Sequence, residues 1–321
     1  MADSLSKDTP LMEQPRYVGV PTFFRSPLRE TLDDVDIGIV GVPFDGGVTS
    51  RPGARHGPRE VRNQSTLVRM INQATGVAPH QLCRVADIGD AWVESPFELQ
   101  LSHQNIEHRF HDIVDHAVVP LSVGGDHSIS LPILRAVAKD QPVGMVHIDA
   151  HCDTGDDYMG SRFHHGAPFS RAVEEGLLDP KRTIQVGIRG TLNNADLWRF
   201  SHDSGMRVMY MEEFHSLGVT KTIAEIRRVV GDGPVYISFD IDCLDPAFAP
   251  GTGTPEIGGL TTLEAQLLVR GCSGLNIIGA DMVEVSPPFD PAGVTALAGA
   301  GILFELLCVT SEAVAQRQSK S

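Results

Sequence analysis

Cysteine is scarce and unpaired: Cys83, Cys152, Cys243, Cys272 and Cys308 are an odd five in 321 residues, with no Cys-x-x-Cys spacing. That argues against a disulfide framework and a thiolate zinc site, and a reducing, cytoplasmic location is expected. Positive charge is also short, with 26 Lys and Arg against 41 Asp and Glu and a net charge of −15. Phosphate backbones and anionic lipid surfaces require the opposite balance, so neither nucleic acid nor membrane is expected as a partner. The loop at residues 38–47 is glycine-rich but lacks GxGxxG, and no GxxxxGK[ST] occurs, so the common phosphate cradles are missing. Residues 1–15 are polar and mixed in charge, which suits a flexible segment better than a secretory signal. The longest apolar tract, residues 296–309, is interrupted by Glu305 and falls short of a bilayer span. Without linker, repeat or low-complexity tract, residues 1–321 are expected to form a single domain.

What the chain does have is 41% hydrophobic residues, enough for a sizeable core. Short apolar runs recur at residues 36–42, 83–88, 118–123, 143–149, 183–188, 206–211, 234–240 and 276–285. Most are apolar nearly throughout, as strands covered on both faces are. Helical stretches lie between them at residues 58–73, 97–116, 128–138, 220–230 and 262–271. The alternation predicts an α/β protein of three layers, a mostly parallel sheet of about eight strands flanked by helices. In such sheets ligands bind at the carboxyl ends of the strands.

Three polar clusters end predicted strands: Gly124-Gly125-Asp126-His127, Asp149-Ala150-His151-Cys152-Asp153 and Asp240-Ile241-Asp242. Alternation along an extended chain puts Asp149, His151 and Asp153 on one side, and Asp240 with Asp242. Carboxylates and histidines converging at buried strand ends repel unless cations are present. Mixed imidazole and carboxylate ligands suit Mn²⁺, Ni²⁺, Co²⁺ or Zn²⁺. The pattern predicts a two-metal hydrolytic centre, whose ions sit about 3.5–4 Å apart and activate a shared water. The plainer reading, Asp residues capping helices after strands, accounts for one cluster better than for three. His103, His108, His111 and His116 in the stretch 97–116 are expected on a solvated helix face. Cys152 and Cys243 are expected to turn inward as small hydrophobes. Trp92 and Trp198 carry no functional signal.

The order and spacing of these motifs resemble the ureohydrolases, the family of arginase, agmatinase, guanidinobutyrase, guanidinopropionase and proclavaminate amidinohydrolase. Beyond the three clusters the resemblance is carried by Arg51-Pro52-Gly53-Ala54-Arg55-His56-Gly57-Pro58, His165-Gly166-Ala167-Pro168-Phe169, Ala249-Pro250-Gly251-Thr252-Gly253-Thr254-Pro255 and Glu284-Val285-Ser286-Pro287. It runs from about residue 15 to residue 307. It implies an arginase-like fold and two divalent ions per chain, Mn²⁺ in most relatives and Ni²⁺ in some. One ion would be held by His127, Asp149, Asp153 and Asp240, the other by His151, Asp149, Asp240 and Asp242. It further implies His165 as proton shuttle and Glu284 as the acid that holds the guanidinium, a planar cationic fork two of whose N–H groups a carboxylate can accept. The products would be urea and an amine, and the assembly a homotrimer or homohexamer, or a hetero-oligomer with a homologous subunit. His164, beside His165, is read as a loop residue.

The resemblance is less specific for the substrate. The loop from Thr154 to His164 joins a metal ligand to the proton shuttle, so Gly155, Asp156, Tyr158 and Arg162 are expected to contact the substrate. Relatives acting on guanidino acids often carry Asn where this chain has Gly155, which removes a donor to a substrate carboxylate; Arg162 compensates only if it points inward. Tyr158 looks more like guanidinopropionase than guanidinobutyrase. A short guanidino acid, 3-guanidinopropionate or 4-guanidinobutyrate, is the first expectation. Alkylated guanidines or biguanides such as metformin follow, then agmatine. A deacylase of the same fold and a non-catalytic subunit are the rival classes.

Overall fold

The computed structural model of the chain describes residues 15–320, so the segment expected to be flexible, residues 1–15, lies almost wholly outside them. The eight apolar runs form β1 (Ile37–Val42), β2 (Val85–Asp90), β3 (Val119–Gly124), β4 (Val143–Ile148), β5 (Leu178–Ile188), β6 (Arg207–Tyr210), β7 (Val235–Asp240) and β8 (Ile277–Val283). They make one parallel sheet in the order β2-β1-β3-β8-β7-β4-β5-β6. β1, β4 and β7 are buried at every position, which is why their sequences are apolar rather than alternating.

The helices are α1 (Gly57–Ser65), α2 (Pro79–Leu82), α3 (Leu99–Asp115), α4 (Ser130–Val137), α5 (Pro168–Glu174), α6 (Arg199–Ser204), α7 (Met211–Val230), α8 (Thr262–Arg270) and α9 (Val294–Gln318). Ile106, Phe110, Ile133 and Phe169 from α3, α4 and α5 cover one face of the sheet. Val61, Ile226, Leu268 and Leu303 from α1, α7, α8 and α9 cover the other. Each such side chain, fully buried, contributes roughly 1.5–3 kcal/mol.

Three expectations change. The helix expected over 58–73 stops at Ser65, where the Thr66, Leu67 and Val68 amides bond carbonyls three residues back instead of four; farther on Asn72 turns the chain, its Oδ1 accepting the Ala74 and Thr75 amides and its Nδ2 donating to Glu305. The tract 296–309 belongs to a longer helix, α9, which by length and composition could cross a bilayer. Here 67% of its most apolar window is buried inside the molecule, and Glu305 is met by Arg270. On α3, His108 and His116 are exposed as expected, but His103 points into the core, with Nε2 3.0 Å from Ser128 Oγ. Desolvation, with Arg135 nearby, lowers its pKa to about 4.

β3, β8, β7 and β4 are consecutive in the sheet, although β3 and β4 are consecutive in the chain. The jump from β3 to β4 opens a crevice over the carboxyl ends of all four central strands.

Candidate metal centre

The three polar clusters are shaped by one local device. Asp126 accepts the Ser128 amide (2.8 Å), Asp149 the His151 amide (2.6 Å) and Asp240 the Asp242 amide (2.8 Å), so a carboxylate turns the chain just past each strand. In Asp149 and Asp240 the bonded oxygen is Oδ1, and Oδ2 faces His127. Capping with one oxygen therefore leaves the other oxygen of the same carboxylate available as a candidate ligand. Strand alternation does not align these residues as the sequence suggested. β4 ends at Ile148, Asp153 is left-handed at φ 50°, and Ile241–Cys243 is a 3-10 turn. Cys152 and Cys243 are fully buried, and desolvation raises both thiol pKa values.

His127 Nδ1 lies 3.2 Å from Asp149 Oδ2, 2.9 Å from Asp153 Oδ2 and 3.2 Å from Asp240 Oδ2. His151 Nδ1 lies 3.5 Å from Asp149 Oδ1 and 3.1 Å from Asp242 Oδ2. Ligands at about 2.1 Å, set at right angles on one ion, stand about 3 Å apart, so these separations suit coordination. Asp149 faces both histidines, one with each oxygen.

The buried Nδ1 of His127 has no hydrogen-bond partner, although three carboxylate oxygens surround it. Desolvation pulls His127 and His151 down, yet their carboxylate neighbours outweigh it and hold both pKa values well above 6.5. Burial and the charges of Asp242 and Asp149 push Asp240 far above the carboxylate range. A field that draws a proton to an orphaned lone pair draws a cation there too, and the residues fit divalent ions.

Beneath the ligands runs a buried polar row that sequence reasoning missed. Ser122, Asp281, Ser238, His147 and Gln185 are register partners across β3, β8, β7, β4 and β5, all at 0% exposure. Ser238 Oγ donates to Asp281 Oδ1 (2.7 Å), and Tyr236 and Ser130 donate to Asp281 Oδ2. With its one proton spent, Ser238 must accept from His127 Nε2 at 2.8 Å. That fixes the His127 tautomer and leaves the Nδ1 lone pair for a metal. His147 Nδ1 accepts from Gln185 (3.0 Å), so His147 Nε2 donates to Asp149 Oδ2 (2.7 Å). Both nitrogens being used, His147 is placed to position the candidate ligand Asp149 rather than to bind a metal itself. The available signal was polar residues two places before Asp149 and Asp240 on the same strand face.

Glu284 also adopts a left-handed backbone, φ 64°. Its Oε1 accepts the His127 amide and faces His165 Nδ1, both at 2.9 Å, while buried Oε2 has no partner. That leaves Oε2 free for a new donor. Desolvation lowers the His165 pKa, but Glu284, Asp153 and Asp126 outweigh it and raise it to about 9. A cavity of about 180 Å³ is lined by His151, Asp153, Asp240, Asp242 and His165; Glu284 is buried and does not line it, but touches it through His165.

Comparison with known proteins decides the family: the arginase family model matches residues 35–308. The chain belongs to the arginase family. It is 56% identical over 305 residues to a guanidinopropionase of Pseudomonas aeruginosa, covering 95% of this chain and 96% of that one. It is 49% identical to a guanidinobutyrase of the same organism over 92% of this chain and 94% of that one. Among solved structures, the proclavaminate amidinohydrolase of Streptomyces clavuligerus superposes with a TM-score of 0.90 at 40% identity, over 94% of this chain and 100% of that one.

In this arginase-family chain the loop after Asp153 divides. Gly155 and Tyr158 line the cavity; Asp156 and Arg162 do not. Arg162 Nε pairs with Asp156 Oδ1 (2.9 Å) and its Nη2 with Glu174, and Arg171 also holds Asp156, so Arg162 is engaged outside the cavity. At position 155 a Cβ would stand 2.8 Å from the Gly166 carbonyl, so glycine is there for close backbone approach rather than for want of an amide. His164 reaches the cavity, but its Nε2 donates to the Asp156 carbonyl and its Nδ1 accepts the Gly166 amide. The opposite wall is Asn193, Leu197 and Trp198. Trp198, discounted from the sequence, packs against Tyr210 at 5.6 Å; this irregular segment carries no periodic pattern to betray it.

Proposed function

We propose that the chain hydrolyses a short guanidino acid, 3-guanidinopropionate or 4-guanidinobutyrate, to urea and an amine. One observation carries the chemistry: an unpartnered carboxylate oxygen, Glu284 Oε2, lies beside a dinuclear ligand set. An anionic acceptor with nothing to accept is the complement of a guanidinium N–H. When bound, two divalent ions, Mn²⁺ by preference with Ni²⁺ also accommodated, polarise the guanidinium and make water reactive near neutral pH. Glu284 orients the planar cation. His165 holds a proton and passes it to the departing nitrogen as the C–N bond breaks and water oxygen is retained in urea. The 180 Å³ cavity suits a small substrate. The Asn193 amide supplies a donor for a carboxylate, and a relative at 56% identity is a guanidinopropionase. A cytoplasmic homotrimer or homohexamer is part of the same reading.

A second reading rests on a different feature of the wall. Among the described residues no Lys or Arg lines the cavity, while Leu197 and Trp198 do, which favours an uncharged tail, as in alkylated guanidines or biguanides such as metformin. A cationic tail like that of agmatine finds Asp156 and Glu174 already paired with arginines. Urea release by Mn²⁺- and Ni²⁺-loaded enzyme from 3-guanidinopropionate, 4-guanidinobutyrate, agmatine, arginine, guanidine and metformin separates the readings. The highest kcat/KM is expected for a guanidino acid; a higher value for any other compound refutes that choice.

A further inference from the structure

The His165 imidazole is held at both nitrogens. Nδ1 faces Glu284 Oε1 at 2.9 Å, and Nε2 lies 2.8 Å from Thr49 Oγ1 and 3.3 Å from the Thr49 amide nitrogen. Thr49 also borders the cavity. The charged and titratable groups around His165 come from several elements: Glu284 after β8, Asp153 after β4, Asp126 after β3, and neighbouring His164. Thr49 adds a neutral group with a different capability. A hydroxyl accepts from Nε2–H when the ring is charged and donates to bare Nε2 when it is neutral. The Thr49 amide can only donate, so it joins once the proton has left.

The segment carrying Thr49 is fixed on either side. The Gly47 amide donates to Asp126 Oδ2 (2.7 Å), and the His165 amide donates to the Gly47 carbonyl (2.9 Å). The Gly53 amide donates to Asp45 Oδ2 (2.7 Å), and Asp45 is also held by Arg55. At Gly47 a Cβ would meet Ser128 Oγ at 2.6 Å, so the loop lies tight against the turn that carries His127. We propose that Thr49 is a positioning residue that holds the His165 ring through both of its charge states, so that the proton leaves and returns at one fixed atom, Nε2. The inference rests on the proton-donor role proposed for His165.

The test compares Thr49→Val and Thr49→Ser in Mn²⁺-loaded enzyme turning over 3-guanidinopropionate. Thr49→Val is expected to lower kcat about tenfold, the scale of one hydrogen bond, with KM within about twofold and metal content unchanged. Thr49→Ser is expected to restore most of the rate. An unchanged kcat in Thr49→Val overturns the proposal, and so does a Thr49→Ser variant as slow as Thr49→Val, since that assigns the effect to the methyl group. A second readout needs no turnover: the ¹⁵N resonance of His165 Nε2, assigned by its loss in His165→Ala. It is expected to move in Thr49→Val and stay in Thr49→Ser; a resonance that ignores Thr49→Val overturns the proposal. Failure of the wild type to release urea from any guanidino compound refutes the functional reading instead, and the resonance then decides the role of Thr49.

Discussion

His127 can offer a lone pair at Nδ1 only while Nε2 carries the proton, and Ser238 with Asp281 enforces that choice. Asp281→Asn changes almost no volume but puts an NH₂ group where Oδ1 now accepts, because Oδ2 already takes Tyr236 and Ser130. Ser238 would then accept from residue 281 and donate to His127 Nε2, shifting the ring proton to Nδ1 and blocking the site. The variant should fold normally and bind its metals about 10- to 100-fold more weakly. Competition with a chelator measures this, and an unchanged affinity would remove Asp281 from any role in metal binding. At this scale the six candidate ligands stood out in the sequence because they cluster where strands end. The row behind them was not, since a lone Ser, His or Asp inside an apolar strand looks like a break in hydrophobicity until the register aligns five of them.

At the scale of elements, the eight strands could be read because burial on both faces leaves near-continuous apolar runs. The helices were less legible. Gly218, at φ 72°, interrupts the pattern of α7 and hides its first turns, and α9 is so apolar that no face stands out. α3 shows what a periodic reading loses, since its polar-looking His103 lies in the core. Its pKa, about 4, is below the unfolded value of about 6.5. Its neutral form therefore contributes full stability above pH 6.5. That contribution is lost as pH falls from 6.5 towards 4, by about 1.4 kcal/mol per pH unit and about 3 kcal/mol in all. His103→Gln keeps a partner for Ser128 without this titration. Urea unfolding of both proteins at pH 7 and pH 4.5 should show wild type losing more stability on acidification; parallel losses would place His103 in a solvated setting.

For the whole molecule, the sheet order explains why one crevice gathers residues more than a hundred positions apart. β8 and β7 insert between β3 and β4, so His127, Glu284, Asp240 and Asp149 arrive from four neighbouring strand ends. The substrate side was the least legible, because Asn193, Leu197 and Trp198 come from an irregular segment and Arg162 was spent on Asp156. In the reading proposed above, this crevice is a two-metal site joined by Asp149, which faces both histidines. Metal analysis of purified wild type and Asp149→Ala tests it most directly. Two divalent ions per chain are predicted for the wild type and close to none for the variant; two ions retained in Asp149→Ala would contradict it.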